Sequence, residues 1–107
     1  DNPPLADLLA LDEQAFRTRF AGTPVKRTGR DRFLRNVLIA AGNSGERALA
    51  PHIRALLGDA SPLVRAMAIW ALRRLVSEED VAPIRAHHLA IETDQHVRDE
   101  WTMEHRA

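Results

Sequence analysis

Two marks recur along this chain at nearly one spacing, and together they demand helices. Leu34-Arg35, Val64-Arg65 and Val97-Arg98 each sit three or four residues after a residue able to cap a helix: Asp31, Ser61 and Asp94. The arginines stand 30 and 33 residues apart. Between them, Leu49-Ala50-Pro51 is echoed by Val81-Ala82-Pro83, 32 residues on. A unit this short cannot bury its own apolar face, so its neighbours must stack on it.

The segments between these marks have the 3, 4, 7 apolar spacing of helices. Leu5 to Leu11 is expected to be a short helix after Pro3-Pro4, and Asp12 is expected to cap a second, with Phe16 and Phe20 on one side. Phe33, Leu34, Val37, Leu38 and Ala41 make the stripe of a helix capped by Asp31 and stopped by Gly42-Asn43-Ser44-Gly45. Leu49, Ile53, Leu56 and Leu57 stripe the next, expected over 46–57. Ser61 caps 62–76, where Pro62 costs nothing because the first helical N–H has no helical partner. Here Val64, Met67, Ala68, Ala71, Leu72 and Leu75 form one face, and Leu63 with Trp70 a second, so neighbours are expected on two sides. Ser77 opens 78–89, and Asp94 caps a last helix to about His105. No segment alternates like a strand. The reading is an all-α, HEAT-like helical repeat, an α-α solenoid of about three helix pairs, in one domain over 1–107. Its period is shorter than the ~40–47 residues of standard HEAT units. A helical bundle with accidental self-similarity is the alternative. The third unit, 78–106, is weaker: Asp99, Glu100 and Glu104 replace apolar positions of the second, as a capping repeat requires. Trp70 reads as core, and Trp101, following a charged run, as partly exposed.

Charge is balanced overall, with 15 basic and 15 acidic residues, but it is not evenly spread. From Arg17 to Arg35 there are seven basic residues and one acid, Asp31, against eight basic and fourteen acidic elsewhere. Lys26, Arg27 and Arg30 crowd a glycine-flanked loop, 22–30, and Arg32 follows on the helix. Cations at a helix start oppose its dipole, so something else should compensate them: phosphate, or an acidic protein surface. Arg65 and Arg98 lie six residues after Asp59 and Glu92 and read as ties between loops, and Arg35 as their first-unit equivalent. Lys26, Arg27, Arg30 and Arg32 have no such explanation.

Catalytic patterns are lacking. The chain has no cysteine, hence no thiolate nucleophile and no cysteine-held cluster. It has no phosphate-loop or dinucleotide fingerprint and no nucleophile elbow. Its five histidines show no metal-ligand spacing, so no metal site is expected. No run of about 18 apolar residues exists to span a membrane. The acidic start without Met is neither a signal peptide nor a natural beginning, and the chain is expected to be a piece of a longer protein.

FAGTPVKRTGRDRFLRNVLIAAGNSG, followed by LLGDASPLVRAMAIWAL, resembles the C-terminal region of bacterial epoxyqueuosine reductases, also known as iron–sulfur cluster-binding proteins. The glycines, Arg27, Arg30, Arg35-Asn36 and Gly42-Asn43 carry the resemblance, which runs from Leu5 to about Leu75 and more loosely beyond. It implies a cytoplasmic, monomeric parent enzyme that reduces the epoxide of epoxyqueuosine to queuosine at the tRNA wobble position. The parent would use cobalamin and two [4Fe-4S] clusters, held by N-terminal catalytic and ferredoxin-like parts, with no cofactor in this piece. By the same resemblance this piece is a non-catalytic domain that holds tRNA. Lys26, Arg27, Arg30, Arg32 and Arg35 are then candidate RNA or interdomain contacts, with Asn36 and Asn43 weaker ones. The alternative is an interdomain docking module that never touches RNA.

Overall fold

The computed structural model describes residues 4–104, with Arg27 described through its backbone alone. Among these residues all regular structure is helical. The order is α1 (Leu5–Leu9), α2 (Glu13–Arg19), α3 (Val25–Thr28), α4 (Arg30–Asn43), a 3₁₀ turn (Arg47–Leu49) running into α5 (Ala50–Arg54), α6 (Pro62–Leu75), α7 (Glu78–Leu89) and α8 (Gln95–Thr102). The last helix, expected to run to about His105, ends at Thr102, and residue 105 lies outside the described residues.

Local chemistry sets most of these boundaries. Asp12 accepts from the Ala15 N–H at 2.7 Å, and Asp94 from the Val97 N–H at 3.1 Å. Ser61 and Ser77 cap α6 and α7 through the N–H groups of Val64 and Asp80. Each gives an orphan amide of the first turn an acceptor. Three expectations are corrected here. Asp31 does not cap α4: the cap is Gly29, at φ +84°, and Asp31 lies inside the first turn. Residues 22–30 are not all loop, since Val25–Thr28 forms a helical turn. The segment 46–57 is no continuous helix either. Pro51 lacks an N–H and suits only a helix's first turn, so α5 begins at Ala50 after a 3₁₀ turn, and it runs only to Arg54.

Helix α6 is the centre. It lies between α4 and α8, forming one layer of three, while α1, α5 and α7 make a second layer behind. The neighbours on two sides expected from its apolar faces are there. The shared core takes Leu34, Leu38 and Ala41 from α4, Val64, Ala68, Ile69 and Leu72 from α6, and Val97 from α8. Leu9, Ile53 and Val81 come from the layer behind. Each large side chain fully buried contributes about 1.5–3 kcal/mol, so the interlayer face dominates stability. A separate aromatic cluster, Phe16, Phe20 and Phe33, with centroids 4.9–5.4 Å apart, seats α2 on α4.

Three side chains differ from expectation. Gly42 does not stop α4 but lies within it: a Cβ there would come 2.6 Å from Trp70 Cζ3 and 3.1 Å from the Ala71 Cα. Its smallness lets α4 and α6 approach, and Gly45, at φ +72°, serves the turn instead. Trp101 is buried, only 1% exposed, because the His88 ring from α7 stacks on it at 5.7 Å. Leu63 is not buried on a second face but 40% exposed, since its side of α4 offers Arg32, Arg35 and Asn36 rather than apolar partners.

Candidate nucleic-acid interface

The arginines divide by what they touch. Arg30 is fully engaged: its Nε donates to the Leu11 carbonyl at 2.9 Å, and its Nη1 and Nη2 donate to Asp59 at 3.2 and 2.6 Å. Asp59 Oδ2 also accepts from the Ser61 N–H at 3.0 Å, at the cap of α6. The same device recurs one unit on. Arg65 donates through Nε and Nη2 to both oxygens of Glu92 at 2.9 Å, and Glu92 Oε2 accepts from the Asp94 N–H at 3.0 Å. A carboxylate two residues before each cap thus receives a guanidinium fork from the preceding unit. Charge-assisted, two-pronged pairs of this kind are the strong ones.

This ladder corrects the sorting made from sequence. Arg65 does tie loops together, its Nη1 reaching the Asp59 carbonyl at 2.9 Å, and Arg98 repeats this with the Glu92 carbonyl at 2.9 Å. In the first unit, however, Arg30 is the ladder residue and not Arg35. Burial works to raise the Asp59 carboxyl, but the Arg30 fork and the Ser61 amide outweigh it and hold Asp59 below the usual carboxylate range. Glu92 is lowered in the same way, chiefly by its hydrogen bond from Arg65. At the other end of the helices, Arg73 donates to the Glu100 and Trp101 carbonyls and Arg74 to that of Gly42.

Of the residues singled out from sequence, a free set remains, and Arg19, Arg47 and Arg54 elsewhere on the surface are exposed as well. Lys26, Arg32, Arg35, Asn36 and Asn43 are exposed, and no side-chain hydrogen bond or ion pair engages them among the described residues. Arg32, Arg35 and Asn36 share one groove with Thr28 and Leu63, of about 500 Å³. On one helix face, residues three apart hold their Cβ atoms about 5–6 Å from each other, close to the spacing of successive phosphates on a compact strand. Lys26 lines a separate depression with Gly22, Thr23 and Pro24, of about 540 Å³. Asn43 lies two turns further along α4, about 10 Å from Asn36 by helix rise, and does not line that groove. Thr28 and Leu63 were missed from sequence. Thr28 sits in a helical turn read as loop, and Leu63 was assigned to the interior.

The chain's donors do not suit an iron–sulfur cluster, which needs thiolates that a chain without cysteine lacks. Among the described residues no three His, Asp or Glu side chains gather as a metal site. No helix among them is long and apolar enough to cross a membrane.

Comparison with known proteins agrees with this architecture. The chain is 39% identical over 75 residues to an epoxyqueuosine reductase of Pseudomonas aeruginosa, covering 69% of this chain and 21% of the relative. The epoxyqueuosine reductase of Alicycliphilus denitrificans is 41% identical over 76 residues, covering 64% and 21%. That of Xanthomonas campestris pv. campestris is 38% identical over 69 residues, covering 64% and 19%. The chain therefore spans about a fifth of the length of these relatives. No solved structure gives a significant match. The family described as HEAT repeats matches residues 27–104, the stretch that carries α4 to α8 and the arginine ladder, and the chain belongs to that family.

Proposed function

We propose that this chain is the tRNA-holding domain of an epoxyqueuosine reductase and performs no chemistry itself. One observation carries the reading: Arg32 and Arg35, with no partner among the described residues, share a concave groove with Asn36, while Arg30, Arg65, Arg73, Arg74 and Arg98 are spent on protein acceptors. Two unpaired guanidinium groups side by side on a helix's first turns suit phosphate oxygens, which position a nucleic acid without reading its sequence. Asn36 adds an amide that can meet a base edge or a sugar hydroxyl. Lys26 extends the positive field beyond the groove.

On this reading the domain acts in the cytoplasm as one part of a monomeric enzyme. Cobalamin and two [4Fe-4S] clusters belong to other parts of that enzyme, and this chain's residues hold neither. The names of the relatives support an epoxyqueuosine reductase as the parent enzyme, and the lack of cysteine in this chain is consistent with clusters held elsewhere. The exposed Leu63 in the same groove favours a second reading, in which the groove docks on another domain of the enzyme. Ultraviolet crosslinking of tRNA to the full-length enzyme, mapped by peptide, separates the two. Adducts on 28–36 support RNA holding, whereas protein–protein crosslinks on 28–36 and 63 with no RNA adduct support docking.

A further inference from the structure

We infer that the groove between α5 and α7 binds a short apolar peptide, lying extended and held by its two charged termini. This groove shares no lining residue with the one that gathers Arg32 and Arg35, and the inference does not rest on the RNA reading. It measures about 560 Å³, the size of an ordinary ligand cleft. Leu72, Val76 and Ile84 give it an apolar floor. The Ala-Pro mark repeated 32 residues apart supplies its sides, since Pro51 comes from α5 and Pro83 from α7. A proline ring has no rotamer freedom to lose when something packs on it, so these sides are ready for contact.

Unpaired charges of opposite sign mark the two ends. Arg54, the last residue of α5, and His87 and His88, in the last turn of α7, all line the groove. The helix dipole favours a cation in either last turn, but not three converging on one cleft. Burial lowers the His88 pKa, and the charges of His87 and Arg54 lower it further, so the three share one positive field. Glu92 opposes that field, but its carboxylate is already held by the Arg65 fork. Arg54 is exposed, and no side-chain hydrogen bond or ion pair engages it among the described residues. Asp80, in the first turn of α7, lines the other end, and its carboxylate also has no partner among the described residues. It stands seven residues before His87, about 10 Å away by helix rise. An extended chain advances about 3.3 Å per residue, so three residues bring an ammonium to Asp80 and a carboxylate to Arg54 and His87. A bare phosphate would leave the apolar floor and Asp80 unmet, and a nucleic acid strand would set its own anions against Asp80.

The test adds the tripeptide Leu-Ala-Leu to the chain and follows the His87 and His88 ring protons and the Ile84 methyl groups by nuclear magnetic resonance. All three sites are expected to shift saturably at millimolar peptide. The C-terminal amide of the tripeptide, which lacks the carboxylate, and its N-acetyl form, which lacks the ammonium, should each bind about two- to fivefold more weakly, as the loss of a solvent-facing ion pair dictates. Arg54→Gln should abolish the preference for carboxylate over amide and keep the preference for free amine over acetyl. Asp80→Asn should do the reverse. Both positions are exposed, so neither change should disturb the fold. No saturable shift at tens of millimolar, equal binding of the three peptides, or preferences that survive both substitutions would each overturn the inference. So would inorganic phosphate or an RNA trinucleotide producing the same shifts, Ile84 included.

Discussion

Arg30 closes on Asp59 as a two-pronged pair, with Nη2 2.6 Å from Oδ1 and Nη1 3.2 Å from Oδ2, joining the start of α4 to the loop that caps α6. Both side chains are largely covered, 13% and 11% exposed. Removing the cation leaves a carboxylate that has lost its main partner. Arg30→Ala is expected to destabilise the chain by about 1–3 kcal/mol, while Arg32→Ala and Arg35→Ala each change stability by about 0.5 kcal/mol or less. Urea denaturation of the three variants checks this ordering.

The ladder also predicts an acid limb. Asp59 and Glu92 are held below their ordinary values in the folded state. A carboxylate with a depressed folded pKa contributes stability that is fully present above its unfolded value, about 3.9 for Asp and 4.3 for Glu, and is lost as pH falls through the folded value. Stability should therefore decline on going below about pH 4.5, and Asp59→Asn should flatten part of that decline. Unfolding free energies measured between pH 2 and 7 test it.

His88 predicts a second, separate window. Burial against Trp101, followed by the neighbouring His87 and Arg54, pushes its pKa below the ordinary histidine value. The unfolded chain then takes up a proton before the folded one does, so stability falls as pH drops below about 6.5. His88→Gln should remove this component and leave the carboxylate limb in place. Histidine ring-proton titration should show His88 titrating below the ordinary histidine value.

Gly42→Ala tests the close approach of α4 to α6. Alanine gains about 1 kcal/mol of helix propensity over glycine. Against that, the new methyl would meet Trp70 at 2.6 Å and the Ala71 backbone at 3.1 Å. Overpacking of this kind costs about 1–3 kcal/mol, and the backbone contact cannot yield as a side chain can. The variant is expected to be less stable than the parent chain by thermal or urea unfolding.

The helical architecture was legible because its signals are local. Asp12, Ser61, Ser77 and Asp94 cap the helices the spacing assigned to them, and the stripes of α4 and α6 are the buried faces. The first unit was misread because its loop departs from the others. Gly29, reached through the α3 turn, replaces a polar cap, and this shifts the ladder arginine from position 35 to position 30. Trp101 and Leu63 were misplaced for a related reason. Whether each is covered depends on what a neighbouring helix carries, His88 in one case and Arg32 with Asn36 in the other. Of the basic residues singled out from sequence, the fold gathers Arg32 and Arg35 with Asn36, leaves Lys26 in a separate depression, and spends Arg30 on Asp59.

The most direct test of RNA holding is the salt dependence of tRNA binding by the full-length enzyme that contains this domain. Each phosphate neutralised releases counterions and contributes about −0.7 to −0.9 to the log–log slope of affinity against salt. Replacing Arg32 and Arg35 together by Ala should weaken binding and flatten that slope by about 1.4 to 1.8. An Arg30→Ala enzyme, measured where it remains folded, should keep the parent slope. A double variant that binds tRNA with unchanged affinity and unchanged slope would contradict the account.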